Sequence, residues 1–108
     1  RYSEKSMVGH VAEQAIREFR ADHTFMGIPA IDVEQGLTGD FLPEAVTDRA
    51  ILGIAPNCVI VADHSKFNRV SSVFLAPVTS ANTVVTDEKT PTSTVSELSE
   101  AGVKVLIA

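Results

Sequence analysis

Apolar residues recur at helical spacing near the start of the chain, while charged and amide side chains occupy the positions between them. This is the pattern of a helix that packs one face against a core. It predicts a helix over Ser3–Arg20, followed by a short strand, His23–Met26, that Gly27 ends. The apolar positions of the helix are Val8, Val11, Ala12, Ala15, Ile16 and Phe19.

Glycine and proline interrupt the apolar pattern between the first strand and the middle of the chain. We therefore expect a loop over Ile28–Asp40, and a loop of that length in a small domain is usually functional or mobile. A second helix is predicted to begin near Pro43, because proline suits a first helical turn, and to end before Pro56. Its apolar stripe consists of Leu42, Val46, Ala50 and Ile54.

Two segments in the second half of the chain have the composition of strands. The run Cys58–Ala62 is wholly apolar and β-branched in its middle, which is typical of a strand buried on both faces of a parallel sheet. Thr83–Thr86 is the other strand, and Asp87 closes it. The segment between them, Val73–Val78, is ambiguous, because Pro77 argues against a strand in the centre of a sheet.

The last part of the chain predicts a short helix and a final strand. Thr94 and Glu97 have the spacing of a capping box at a helix start, and Gly102 stands where a helix C-terminal glycine belongs. Val103–Ala108 is the last strand. Strands that alternate with helices indicate one α/β domain over residues 1–108, with an open, mainly parallel sheet and helices on both faces.

Length, charge and missing motifs exclude several classes of protein. The 108 residues suffice for one domain, and the net charge of −5 argues against binding a nucleic-acid backbone with this segment alone. The single cysteine, Cys58, rules out an internal disulfide, and we interpret it as part of the core. The sequence has no membrane-length apolar run, no secretory signal, no nucleotide-binding glycine motif and no metal-ligand spacing of histidines. We therefore expect a cytoplasmic protein with neither a cofactor nor a metal.

Polar side chains follow the predicted strands, at the positions where ligands bind in open α/β sheets. Asp63-His64-Ser65-Lys66 comes directly after the apolar run, the glycine-containing segment 27–38 follows the first strand, and Asp87 follows another. Lys66 is a compact positive charge suited to a phosphate, and Asp63 suits its ammonium group or a sugar hydroxyl. The residues alone leave a plainer alternative open, in which Lys66 is solvated and Asp63 and Asp87 only form turns.

The segment Ala62-Asp63-His64-Ser65-Lys66-Phe67 resembles the L-A-D-x-S-K-F signature of the DeoR family of bacterial transcriptional repressors. Five further segments resemble stretches of that family, in the correct order and along essentially the whole chain. They are Met7 to Glu13, Ala21 to Gly27, Gly36-Leu37-Thr38, Val84-Val85-Thr86-Asp87 and Ala101-Gly102-Val103. Each segment is a weak signal alone, and their common order makes the resemblance specific.

The resemblance implies a role that composition and spacing do not. Members of the family carry an N-terminal winged helix-turn-helix that binds operator DNA, and a C-terminal domain that senses an effector, commonly a phosphorylated sugar or related metabolite. That domain is Rossmann-like and similar in fold to ribose-5-phosphate isomerase. Because the chain begins with Arg1 rather than Met, we interpret it as most of such a sensor domain, with the DNA-binding domain and the first sensor strands missing upstream.

The resemblance also implies an effector site, transferred residue by residue. Lys66 matches the signature lysine, which lies at the phosphate in the isomerase relatives, and Gly27 matches a glycine where the backbone approaches the ligand. The expected effector-binding residues that match family positions are Lys66, Asp63, Ser65, Gly27, Gly36 and Thr38. Asp32 is added as a residue that, like Asp63 or Thr38, would bind the hydroxyl groups of the effector. The chain departs from the family at two positions: Ala30 replaces a frequent glycine, and Asn68 replaces the glycine that usually follows Lys-Phe in the signature. Asparagine tolerates the left-handed backbone that glycine adopts.

Two other functions remain open from the residues. A sugar-phosphate isomerase needs a carboxylate beside the substrate carbon, for which Glu34, Glu44 and Asp32 are candidates, although Glu44 also suits a helix first turn. A purely structural oligomerisation module would keep the fold without a working pocket. We expect no enzyme, and therefore no catalytic residues. We also expect a homo-oligomer, because repressors of this kind bind two or more half-sites.

Overall fold

The structure is a computed structural model that describes residues 23–54 and 56–108. This part of the chain contains seven strands and two α-helices. Along the chain the strands are β1 (His23–Gly27), β2 (Ala30–Asp32), β3 (Gly36–Gly39), β4 (Asn57–Val61), β5 (Val73–Ala76), β6 (Thr83–Thr86) and β7 (Lys104–Ile107). The helices are α1 (Leu42–Leu52) and α2 (Thr92–Glu100). Within these residues no helix is long and apolar enough to cross a membrane.

The main sheet is parallel throughout and has the strand order β1-β4-β6-β7. In register, Phe25 lies opposite Val59, and Val59 lies opposite Thr83. Because the strands are parallel, their carboxyl ends meet at one edge of the sheet. The α/β class and the mainly parallel sheet that the sequence predicts are confirmed. The helix predicted over Ser3–Arg20 lies outside the described residues.

Side chains of β4 alternate between a buried and a more exposed face of the sheet, since successive residues of a strand point in opposite directions. Cys58 and Ile60 are at most 1% exposed, whereas Val61 is 52% exposed. The prediction that Cys58–Ala62 is buried on both faces is therefore wrong at Val61. Cys58 belongs to the core as predicted, and burial raises the pKa of its thiol. The core cluster consists of Ile28, Ile31, Leu37, Ala45, Cys58, Ile60, Ala62, Phe67, Leu75, Ala76, Val78, Ala81, Val84, Leu98 and Val103.

A second, antiparallel sheet has the strand order β2-β3-β5, and its strands β2 and β3 lie in the segment that we expected to be a loop over Ile28–Asp40. Ile31 lies opposite Leu37, and Leu37 lies opposite Ala76. The loop prediction is wrong, because strands of three and four residues between glycines and a proline are too short to show an alternating pattern. The ambiguous segment Val73–Val78 also belongs here, since β5 ends at Ala76, directly before Pro77.

Helix α1 begins beside Pro43 and ends at Leu52, close to its predicted limits. Its buried residues are Ala45 and Ala50, whereas Leu42 is 57% exposed, so the predicted apolar stripe is wrong at its first position. The helix packs against β5. Its Arg49 guanidinium donates twice to the backbone carbonyl of Phe74 in that strand, from Nε at 3.1 Å and from Nη2 at 2.7 Å. The second sheet therefore determines which face of α1 is buried.

Helix α2 begins at Thr92, before the predicted capping box, and has no side-chain cap. Thr94 lies inside the helix, is 3% exposed, and its hydroxyl oxygen accepts a hydrogen bond from Asn68 Nδ2 at 3.1 Å. The capping-box prediction is therefore wrong, because Pro91 stands at the helix start and Thr94 bonds to a distant residue. Gly102 follows the helix with a φ of +95°, as the prediction of a C-terminal glycine requires.

Candidate functional site

A tight turn follows β4, and the side chain of Asp63 shapes it. Asp63 Oδ1 accepts hydrogen bonds from the backbone N–H of Ser65, at 2.8 Å, and from the Ser65 hydroxyl. The N–H of Lys66 donates to the Asp63 carbonyl at 3.1 Å, which closes a single 3₁₀ turn over His64–Lys66. Aspartate suits this position because its short carboxylate reaches the backbone two residues later. The turn-forming role that the residues left open for Asp63 is therefore present.

The same hydrogen bonds also lower the pKa of Asp63. The hydroxyl and the backbone N–H of Ser65 stabilise the carboxylate and hold the pKa of Asp63 below its ordinary value. The positive charge of Lys66 acts in the same direction, to a smaller extent. Asp63 therefore presents a carboxylate at neutral pH.

A second carboxylate, Asp87 after β6, ties the turn to the neighbouring strand. Its Oδ2 accepts the backbone N–H of His64 at 3.0 Å, and the His64 Nδ1 lies 3.0 Å from Oδ2 and 3.1 Å from Oδ1. Since an ionised carboxylate can only accept, Nδ1 carries the proton. The His64 side chain is the largest cause that lowers the pKa of Asp87. Asp87 also forms a turn of its own, because the N–H of Lys89 donates to Oδ1 at 2.8 Å.

An open groove with a volume of about 600 Å³ lies at the carboxyl ends of β1 and β4. Its described lining residues are Gly27, Ile28, Pro29, Glu44, Asp48, Val61, Ala62, Asp63 and Lys66. Among them, one ammonium group and three carboxylates stand beside apolar side chains. Such a lining offers an anionic group one cationic contact and offers hydroxyl groups several acceptors.

Gly27 and Lys66 reach this groove from two neighbouring strands. Gly27 is the last residue of β1 and lies opposite Val61 in the sheet, whereas Lys66 ends the turn after β4. A Cβ atom on Gly27 would lie 3.8 Å from the Val61 carbonyl, which is an ordinary contact. Packing against the described residues therefore does not require glycine at this position, and its backbone borders the groove.

The structure brings three of the predicted site residues together in the groove: Gly27, Asp63 and Lys66. Ser65 is adjacent to them through its two hydrogen bonds to Asp63. After the turn, Asn68 adopts a φ of 58°, the left-handed backbone for which we expected asparagine to be a mild replacement of glycine.

The other three predicted site residues, Asp32, Gly36 and Thr38, lie in the second sheet and are not among the described lining residues of the groove. Asp32 Oδ2 accepts the N–H groups of Glu34 and Gln35, at 3.1 and 2.8 Å, and so shapes the turn between β2 and β3. Asp32 borders a separate cavity of about 490 Å³, together with Asn68, Glu97 and other residues.

Gly36 and Thr38 have structural roles in the second sheet. The backbone of Gly36 has a φ of +91°, and a Cβ atom there would lie 2.5 Å from the carbonyl oxygen of Ala76. Thr38 is 3% exposed, and its hydroxyl oxygen accepts the backbone N–H of Ser71 at 2.8 Å. A role of either residue in effector binding stays a prediction.

Sequence analysis missed two features of this edge of the sheet. The sequence indicates Glu44 only as an isomerase base or a first-turn charge and does not single out Asp48, yet both line the groove from α1. Their spacing of four residues on a helix places them on one side, which is the signal that would have identified the pair. The pairing of His64 with Asp87 was also missed, although both follow strands that are neighbours in the sheet.

A smaller cavity of about 210 Å³ lies on the β6 side of β4. Its described lining residues are Val61, Ala62, Asp63, Val85, Thr86, Asp87 and Ala108. Three of these residues, Val61, Ala62 and Asp63, also line the groove. The end of β4 is therefore common to both cavities.

Comparison with known proteins assigns the chain to a family. The sequence model of the family described as the DeoR C-terminal sensor domain matches residues 1–88 of the chain. The chain belongs to this family. The resemblance on which we based our expectations is thereby confirmed, and the signature segment around Lys66 lies within the matched region.

Several transcriptional repressors are similar to this sensor-domain chain. A putative aga operon transcriptional repressor of Escherichia coli O157:H7 is 32% identical over 107 residues, which cover 99% of the chain and 40% of the relative. The transcriptional repressor AccR of Agrobacterium fabrum is 36% identical over 82% of the chain and 34% of the relative. A glycerol-3-phosphate regulon repressor of Escherichia coli K12 is 31% identical over 87% of the chain and 37% of the relative. The chain thus spans 34–40% of the length of these three relatives.

Proposed function

We propose that this chain is the effector-sensing part of a transcriptional repressor, and that its effector is a phosphorylated sugar or a related phosphorylated metabolite. The observation that carries the proposal is the position of Lys66, which lines the groove together with Gly27 at the carboxyl ends of two parallel strands. Open α/β sheets bind ligands at that edge. Membership of the sensor-domain family and the repressors among the relatives support the same role.

The phosphate is proposed to lie against Lys66. A phosphomonoester carries about −1.5 to −2 charge near pH 7, and an ammonium group stabilises such a charge. The carboxylates of Asp63, Glu44 and Asp48 would repel the phosphate and accept hydrogen bonds from hydroxyl groups. The proposed orientation of the ligand has its phosphate at Lys66 and its hydroxyl groups at the carboxylates.

Effector binding is proposed to act on DNA through a domain outside this chain. A ligand changes an equilibrium only by its difference in affinity for the two states, and couplings of this kind amount to about 1–3 kcal/mol. In a homo-oligomeric repressor the two states would differ in how they present the DNA-binding domains to two half-sites. The proposed protein is thus a non-enzymatic switch, whose ligand is released unchanged.

A thermal-shift panel on the intact protein tests the proposal. The panel compares phosphorylated sugars and glycerol 3-phosphate with their unphosphorylated parents, and glycerol 3-phosphate is included because one relative is named for that regulon. A ligand at one hundred times its dissociation constant stabilises the folded state by about 2.7 kcal/mol, which such an assay detects. We expect stabilisation by a phosphorylated compound only, and its loss in Lys66→Ala.

Other outcomes would identify the alternatives. Stabilisation that persists in Lys66→Ala would place the phosphate elsewhere and contradict the proposed site. Consumption of the stabilising sugar phosphate by the wild-type protein would indicate an isomerase. Of the three candidate bases Glu34, Glu44 and Asp32, Glu44 is the one among the described lining residues of the groove. A panel without any stabilising compound would favour a structural oligomerisation module.

A further inference from the structure

Hydrogen bonds rather than packing hold the turn over His64–Lys66 in place. None of its three residues is buried. The residues on either side are anchored, since Ala62 before the turn and Phe67 after it are each 6% exposed. His64 and Ser65 are exposed and Lys66 is half-buried, so the turn lies between two fixed points and its hydrogen bonds restrain its orientation.

Asp63 and Asp87 contribute to the turn in different ways. The bonds of Asp63 run to Ser65, two residues away in the chain, so they determine the shape of the turn and would move with it. Asp87 follows a different strand, β6, and it binds both the backbone N–H and the ring of His64. Its bonds therefore connect the turn to a neighbouring strand of the sheet and restrain its orientation.

We infer that Asp87 is a positioning residue for the effector site, which holds Lys66 at the groove by fixing His64 at the start of the turn. The inference rests on the proposed function, because it assigns Asp87 a role in the binding of a phosphate by Lys66. The side chain of Lys66 is long and flexible, so the direction in which its backbone presents it determines the fraction of time that the ammonium group spends at the groove.

The three bonds between Asp87 and His64 predict an order among substitutions. Alanine at Asp87 removes the acceptor for both the backbone N–H and the ring of His64. Asp87→Asn retains one acceptor oxygen, and His64→Ala leaves the bond from the backbone N–H of residue 64 to Asp87 intact. Asp87→Ala should therefore weaken effector binding more than either Asp87→Asn or His64→Ala.

Asn82 provides a matched control at the opposite edge of the same two strands. Its Oδ1 accepts the backbone N–H of Cys58 at 2.7 Å, so it ties the start of β4 to the start of β6, as Asp87 ties their ends. Asn82→Ala removes a comparable bond between β4 and β6 and leaves the carboxyl edge intact. It thus separates a general loosening of the sheet from a local effect on the turn.

The experiment measures affinity in the intact protein by isothermal titration. The titrant is the phosphorylated compound that stabilises the wild-type protein most in the panel above, and inorganic phosphate is a second probe. We expect Asp87→Ala to weaken binding at least about tenfold, the effect of losing hydrogen bonds that involve a charged group. Asp87→Asn should restore most of the affinity, and Asn82→Ala should bind as the wild type does. The amide NMR signals of Ser65 and Lys66 should shift in Asp87→Ala and stay in place in Asn82→Ala.

Two results would overturn the inference and leave the proposed function intact. The first is unchanged affinity in Asp87→Ala while Lys66→Ala no longer binds. The second is an equal loss of affinity in Asn82→Ala and Asp87→Ala, which would mean that any weakening of the sheet impairs the site. Unchanged affinity in Lys66→Ala would instead contradict the proposed function itself, and the inference with it.

Discussion

The carbonyl oxygen of Ala76 lies 2.5 Å from the position that a Cβ atom would take on Gly36. No real Cβ atom tolerates such a contact, and the φ of +91° at Gly36 is itself strained for any residue with a side chain. Gly36→Ala should therefore lower the free energy of unfolding by about 2–4 kcal/mol, because a steric clash adds to the backbone strain. Chemical denaturation of the wild type and the variant measures this difference.

Gly53→Ala is the control for that substitution. A Cβ atom on Gly53 would lie 3.6 Å from the Ala50 carbonyl and 3.7 Å from that of Arg49, and the φ of Gly53 is −92°. Since neither the contact nor the backbone opposes alanine, the free energy of unfolding should change by less than about 1 kcal/mol. Equal effects of the two substitutions would contradict the assignment of Gly36 to the tight junction between β3 and β5.

The second prediction concerns the titration of Asp63. Its pKa is lowered in the folded protein, so the hydrogen bonds from Ser65 stabilise the fold above the ordinary pKa of aspartate, and this contribution is lost as the pH falls through the lowered value. In Ser65→Ala the hydroxyl donor is absent, and the pKa of Asp63 should rise toward the ordinary value. Carboxyl-carbon NMR titration measures the change.

Two internal references make this titration interpretable. Ser65→Thr retains the hydroxyl and should leave the pKa of Asp63 lowered. In Ser65→Ala the pKa of Asp87 should stay lowered, because its main partner is His64. If the pKa of Asp63 were the same in Ser65→Ala and in the wild type, the hydroxyl would not be the principal cause of the shift.

The third prediction concerns the buried hydroxyl of Thr38. It accepts the backbone N–H of Ser71 at 2.8 Å and so ties β3 to the segment before β5. Thr38→Val keeps the shape of the side chain and removes the acceptor, which should lower the free energy of unfolding by about 1–3 kcal/mol. Thr38→Ser retains the oxygen, and amide hydrogen exchange at Ser71 should remain slow in it and become faster in Thr38→Val. Slow exchange at Ser71 in both variants would show that the bond does not protect this segment.

The sequence predicted those elements whose signal lies within a few neighbouring residues. The apolar run around Ile60 identified β4, Pro43 identified the start of α1, and Gly102 identified the end of α2. The same kind of signal failed for the capping box at Thr94, because a bond from Asn68 across 26 residues competes with local capping. Local patterns are reliable where local interactions dominate, and they fail where a distant residue supplies the partner.

The second sheet shows a different limit of sequence analysis. Its strands β2, β3 and β5 have three or four residues each, and residues typical of loops, Gly36 and Pro77, stand at or beside their ends. Short length and loop-like neighbours together hide these strands in the sequence. These strands are stable because they pair with one another, and β3 and β5 also pack against α1. Asp32 and Thr38, which we expected at the effector site, bond instead to the turn after β2 and to the segment before β5.

By itself, the sequence determined the α/β class, the parallel strands around Cys58–Ala62, the family and the segment that carries Lys66. Only the tertiary structure decided that Glu44 and Asp48 line the same groove as Lys66, and that Asp87 binds the turn through His64. The physical reason is that side chains meet across a sheet according to strand order and register. Both depend on packing between residues far apart in the chain.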